Sequence, residues 1–147
     1  MRLVLSVFLP RDRATIPVSR HIVRDALEEI GVAEDCAHDV SIAQSEACTN
    51  VVDHSGPGDE YEVSVEINGD RCTIRVVDTG RGFDERTVEE DGAAADSERG
   101  RGIQLMKALV DQVHFRSDAG AGTAVHLEKT LRFRDDAVFG LRGRPNE

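Results

Sequence analysis

Lysine is scarce. Lys107 and Lys129 are the only two, against sixteen arginines, so lysine-centred chemistry has just two places to sit. Long apolar runs are missing as well, since the longest nearly apolar stretch, Leu3 to Leu9, falls far short of the ~20 residues that span a bilayer. Behind Met1-Arg2 no small-residue cleavage site precedes Pro10 and the charges of Arg11, Asp12 and Arg13. No secretory signal is therefore expected, and the chain reads as cytoplasmic. Positive charge is in deficit: 28 acids face 18 bases, a formal net charge of −10. That balance repels nucleic-acid phosphates and anionic lipid, so neither nucleic acid nor a membrane is expected as a partner. Cys36, Cys48 and Cys72 are odd in number and form no CxxC, which excludes a disulfide scaffold or zinc knuckle and leaves buried small hydrophobes as the expectation.

Several catalytic signatures are absent too. There is no GxxxxGK(S/T) phosphate loop, no HExxH and no GxSxG elbow. Gly100-Arg101-Gly102 is followed by Leu105 where a dinucleotide fingerprint needs its third glycine. The five histidines, His21, His38, His54, His114 and His126, show no zinc-ligand pairing and read as surface or satisfied core residues.

What is present suits one packed domain. The chain has 147 residues, 39% hydrophobic and 31% charged, enough apolar material for a single core. Leu3, Leu5, Val7 and Leu9 alternate with Val4, Ser6 and Phe8 in a short strand that is apolar on both faces, ended by Pro10. Ile16, Ile22, Val23, Ala26, Leu27 and Ile30 recur at helical spacing over about 15–30, and Gly31 stops the run. A second helix is expected over about 33–53, with Val40, Ala43, Ala47 and Val51 along one side and Ser55-Gly56-Pro57-Gly58-Asp59 closing it. Two alternating runs, 61–67 and 72–77, flank Asn68-Gly69-Asp70, whose Asn-Gly pair favours a tight hairpin. A third helix is expected over about 103–112, then strands near 113–117 and 123–129. Mostly hairpin-connected strands with helices left over predict an α+β, two-layer sandwich: a mixed, mostly antiparallel sheet covered on one face by helices.

Three stretches can carry chemistry. Glu46 and Asn50, four apart on the second helix, project from one face, where a carboxylate and an amide oxygen suit Mg²⁺; an exposed polar stripe would look the same. Asp78-Thr79-Gly80-Arg81-Gly82 follows a strand directly. A carboxylate there can accept a hydrogen bond from an exocyclic amine, as selection of adenine over guanine requires, though an ordinary turn is the plainer alternative. Glu98-Arg99-Gly100-Arg101-Gly102-Ile103 leads into a helix, where free N–H groups and the helix dipole make a phosphate seat that Arg99 and Arg101 would reinforce. A glycine-containing helix start with no ligand fits that string equally. Between the last two stretches, 80–102 holds Phe83 and Val88 as its only large apolar residues, the composition of a functional lid.

Taken in order, these strings resemble the asparagine box and the two glycine boxes of the Bergerat-fold (GHKL) ATP-binding superfamily, which includes the ATPase domains of gyrase, histidine kinases and MutL. The nearest branch in appearance is that of the small bacterial anti-sigma-factor serine/threonine kinases, through Ser45-Glu46-Ala47-Cys48-Thr49-Asn50, Val77-Asp78-Thr79-Gly80-Arg81-Gly82-Phe83 and Arg99-Gly100-Arg101-Gly102-Ile103-Gln104-Leu105-Met106. The resemblance covers about residues 5–130. It implies an ATP-binding kinase-like domain over 1–130 with a lid at about 84–99, and a C-terminal extension, 131–147, to which it assigns nothing. By the same resemblance Glu46 is the general base, Asn50 the ligand of Mg²⁺, and Asp78 the adenine contact with Gly80 and Gly82 shaping that wall. Arg99, Gly100, Arg101 and Gly102 would lie by the phosphates and Thr123 at the adenine end. It further implies ATP and Mg²⁺ as cofactors, with a sigma factor and an anti-anti-sigma antagonist as partners. The antagonist would be phosphorylated on serine, and a homodimer is the state common in that branch. A nucleotide-binding interaction module of the same fold, without kinase turnover, is the alternative.

Overall fold

The computed structural model describes residues 1–54, 60–78, 97–118 and 122–137. Strand β1 (Arg2–Pro10) and a short 3-10 turn (Arg13–Thr15) lead into α1 (Ile16–Glu29) and α2 (Glu34–His54). Strands β2 (Glu60–Asn68) and β3 (Arg71–Asp78), helix α3 (Ser97–Leu109), and strands β4 (Gln112–Asp118) and β5 (Gly122–Thr130) follow. The strands form one sheet in the order β1-β2-β3-β5-β4. Every pairing is antiparallel, so the expected α+β sandwich forms without the parallel neighbours that a mixed sheet would contain.

Alternation decides which sheet face is covered. Val63, Val65 and Ile67 on β2, Ile74 and Val76 on β3, and Val125 and Leu127 on β5 point to one side and are buried. Above them lies α2, whose Cys36, Ala37, Val40, Ala43, Ala47, Cys48 and Val51 are all fully buried. Three alanines on this face let the helix axis lie close to the sheet and between α1 and α3, which both pack on it. β1 is an edge strand. Leu3, Leu5, Val7 and Leu9 pack partly against the core, while Val4 and Phe8 on the other face stay more than half exposed, at 56% and 57%.

The two-residue turn at Gly69-Asp70 closes the β2–β3 hairpin with Gly69 at φ +65°, as the Asn-Gly pair predicts. At the end of α1 the backbone turns at Gly31, φ +97°, with Gly31 N–H donating to Glu28 O (3.1 Å) and Val32 N–H to Leu27 O (3.0 Å). That bond pair is a Schellman cap, and glycine is favoured at its left-handed position. The third helix differs from expectation. It starts at Ser97, six residues before the expected Ile103, because the cost of two glycines, about 1 kcal/mol each, does not outweigh the packing of the helix on α2.

Residues 131–137 clasp the α1–α2 junction. Ala33 N–H donates to Arg132 O (2.8 Å), Arg134 N–H donates to Gly31 O (2.7 Å), and Val32 bridges Phe133. Leu131 and Ala137 are buried there. The rest of the expected extension, 138–147, lies outside the described residues.

A Cβ at position 31 would stand 2.4 Å from the Ala137 Cβ, on a backbone that side chains rarely adopt. Gly31→Ala is expected to cost about 1–3 kcal/mol, read as a lowered urea midpoint. The three cysteines are free and buried, and burial pushes the Cys48 thiol up to about 11 and that of Cys72 to about 12 from an ordinary 9.0. The folded chain therefore holds protons that the unfolded chain releases first, and stability falls as pH rises above about 9. Urea midpoints taken from pH 8 to 11 should decline, and a thiol reagent at pH 8 should label none of the three before unfolding.

Candidate functional site

The middle of α2 presents two adjoining polar positions at the α3 boundary. Asn50 is buried, at 3% exposure, and Glu46 half-buried, one helical turn before it. The backbone of α3 comes up to them at Gly102, where a Cβ would stand 3.0 Å from Glu46 Oε1 and 4.0 Å from Asn50 Nδ2. Any larger residue at 102 would press on the carboxylate. Among the described residues Asn50 Nδ2 is buried with no hydrogen-bond partner, an expensive condition for an amide unless a ligand completes it.

A second polar group lies at the end of the sheet. Asp78 closes β3 with its side chain fully buried, on the helix-covered face shared by Ile74 and Val76. The hairpin register sets it opposite Tyr61 on β2. The β3–β5 register pairs Val77 with Ala124, so the next position sets Asp78 opposite Thr123, which is also fully buried. Tyr61, Asp78 and Thr123 thus form a polar row across three strands, on the side of the sheet where α2 carries Asn50. An Arg11 guanidinium nitrogen lies 3.8 Å from Asp78 Oδ2.

Behind Glu46 the helix is braced. Gln44 Nε2 donates to Ser19 Oγ (2.8 Å), Ser19 Oγ to Ile16 O (3.0 Å), and Arg20 Nη1 to Ser45 Oγ (3.3 Å). The Tyr61 hydroxyl meets Thr15 Oγ1 at 2.9 Å, and burial raises its pKa. At the far end of α2, Arg13 Nε donates to Asp53 Oδ1 (3.0 Å), fastening the segment that follows β1. These bonds fix how α2 rotates, and with it the direction in which Glu46 and Asn50 face.

The sequence-predicted residues therefore separate into groups. Glu46, Asn50 and Gly102 come together, as do Asp78 and Thr123. Gly100 and Arg101 lie within α3, with Arg101 exposed. Starting the helix at Ser97 corrects the expectation of free N–H groups across Gly100-Arg101-Gly102. In a helix whose first residue is Ser97 the N–H groups of residues 97–99 belong to the unpaired first turn, and those of Gly100, Arg101 and Gly102 fall inside the helical ladder. The Arg99 side chain, Gly80, Gly82 and the expected lid from 84 up to the start of α3 lie outside the described residues. Tyr61 and Arg11 were not anticipated. The hairpin turn does give a signal for Tyr61, because counting back from Asn68↔Arg71 reaches Tyr61↔Asp78. Arg11 has no such signal. Among the described residues no group of three or more His, Cys, Asp or Glu is placed to hold a metal ion.

The sequence matches a known family. Residues 9–129 fit the model of the histidine kinase-like ATPase domain. The chain is 31% identical to the serine-protein kinase RsbW of Halalkalibacterium halodurans over 97% of its own length and 94% of that protein. It is 38% identical to the serine-protein kinase RsbW of Bacillus licheniformis over 63% of this chain and 65% of the relative. In shape it is similar to a crystal structure of the RsbU and RsbW domains of a Mycobacterium tuberculosis protein, with a TM-score of 0.67 and 24% identity. That likeness covers 90% of this chain and 34% of the solved one, and carries the fold.

Alanine at position 102 would gain about 0.5–1 kcal/mol of helix propensity, while the carboxylate it meets can swing aside. Gly102→Ala is thus expected to melt at or above the wild-type temperature. Gly102→Val, bulkier and branched, should melt several degrees lower in the same thermal scan.

Proposed function

This chain belongs to the histidine kinase-like ATPase domain family, and we propose that within it the Glu46–Asn50 face of α2 is the phosphoryl-transfer centre of a cytoplasmic anti-sigma factor. The enzyme is an ATP-using serine-protein kinase, the activity for which its near-full-length relative is named. One observation carries the assignment of the site: a carboxylate and a buried, unpartnered amide side by side where α3 presses its glycine against α2.

In this reading the domain spans 1–130 with its lid at 84–99, and ATP lies between α2, α3 and the end of the sheet. Asp78 accepts a hydrogen bond from the adenine amine, Thr123 supports that end of the base, and Gly80 and Gly82 shape its wall. Arg99, Gly100, Arg101 and Gly102 line the phosphate side. Asn50 fits a Mg²⁺ site, because rotation of its carboxamide about the Cβ–Cγ bond puts Oδ1 where the orphaned Nδ2 now stands. Bound there, the ion would neutralise charge on the phosphate oxygens. Glu46 receives the proton of the acceptor serine hydroxyl as the new O–P bond forms and the bond to the leaving ADP breaks. Because base and metal ligand ride on one braced helix, little rearrangement is needed at the chemical step.

The acceptor is a serine of an anti-anti-sigma antagonist, and the second partner is the sigma factor that the kinase sequesters. The acidic balance of the chain opposes nucleic acid and membrane as partners. Among the described residues no helix is long and apolar enough to cross a bilayer. The working unit is a homodimer, as in the branch that the sequence resembles.

The test is a phosphorylation assay with Mg-ATP and an antagonist of that class, read by mass spectrometry for phosphoserine. Glu46→Gln should lower transfer by about 10²–10⁴-fold while still binding ADP. Asn50→Ala should lose the Mg²⁺-dependent thermal stabilisation, about 2.7 kcal/mol at ~100 times the dissociation constant. Tight ATP binding with no labelled antagonist would leave a binding module without turnover.

A further inference from the structure

Arg11 follows β1 and reaches past β2 to the end of β3, where its guanidinium lies 3.8 Å from Asp78 Oδ2. The arginine side chain is 20% exposed and that of the aspartate 0%. A carboxylate so completely removed from water is costly unless an opposite charge stands close to it. At 3.8 Å the contact is longer than a hydrogen bond, so the guanidinium compensates charge without taking up a lone pair of the oxygen it faces.

The segment that carries Arg11 is itself held. Asp12 N–H donates to Pro10 O (2.8 Å), Ala14 N–H to Asp12 Oδ1 (2.8 Å), and Thr15 Oγ1 to Asp12 O (2.7 Å). Two residues on, Arg13 is tied to Asp53 at the end of α2. The guanidinium is thus presented by an ordered turn fastened at both sides rather than by a loose arm.

We propose that Arg11 is a positioning residue for base selection: it compensates the charge of the buried Asp78 carboxylate, so that this group acts as a charge-assisted acceptor for the exocyclic amine of adenine. The inference rests on the reading of Asp78 as the base contact. A hydrogen bond to a charged group is stronger than one between neutral groups, and this surplus is what Arg11 supplies. Purines lacking the 6-amino group then lose affinity chiefly through the Arg11–Asp78 pair.

The test is isothermal titration of the full chain with ADP and with purine riboside 5′-diphosphate, which lacks only that amine. Wild type should prefer ADP by about tenfold or more. In Arg11→Met the preference should shrink toward unity, whereas Arg11→Lys, which keeps the charge, should retain most of it. A merely structural role would weaken both ligands alike, so an unchanged ratio in Arg11→Met overturns the proposal even if both affinities fall. Should Arg11→Met not fold, loss of the preference in Arg11→Gln with retention in Arg11→Lys decides the same point. If wild type itself binds the two equally, or Asp78→Ala keeps the full preference, the reading of Asp78 fails and the role of Arg11 fails with it. That outcome is distinct from a preference that depends on Asp78 but not on Arg11.

Discussion

The close approach of α3 to α2 at Gly102 is the contact on which the site depends. A missing side chain there leaves room for the Glu46 carboxylate, whose Oε1 would lie 3.0 Å from a Cβ. Two helices that meet at a glycine can bring backbone to side chain, which ordinary ridge-into-groove packing keeps apart. The gap between them is therefore polar at this point, whereas the contact of α2 with the sheet is built from valine, isoleucine, leucine, alanine and cysteine.

Around this contact, core and site share one scaffold. The face of α2 that buries Val40, Ala43, Ala47 and Val51 sets its height above the sheet, and the bonds from Ser19 and Arg20 set its rotation. The sheet end contributes independently, through a register that aligns Tyr61, Asp78 and Thr123. Two separately fixed polar clusters, one on a helix and one on strands, suit a ligand with a base at one end and phosphates at the other.

Much of this was legible in the sequence because the signals are local. The period of α2, the Asn-Gly hairpin and the Gly31 cap each lie within a few residues of what they determine. Glu46 and Asn50 could be paired by helical spacing alone. Less legible were features created by distant segments. Gly100 and Gly102 argue locally against helix, by about 1 kcal/mol each, yet α3 runs through both, and Gly102 is where it meets Glu46 and Asn50 on α2. Thr123 comes beside Asp78 only through the β3–β5 pairing, and Arg11 reaches it from a strand two places away. An all-antiparallel sheet likewise depends on which strand β5 joins, which no short window of sequence states.

The double use of α2 also governs how this chain can change over evolutionary time. Each residue along a helix turns the direction of its side chains by about 100°, so inserting or deleting one between Cys36 and Ala43 would spin everything downstream. Ala43 and Ala47 would leave the interior at the same moment that Glu46 and Asn50 turned away from α3. Lineages can therefore exchange residue types along this segment but hardly alter its length, and length variation should collect instead in the connections between elements.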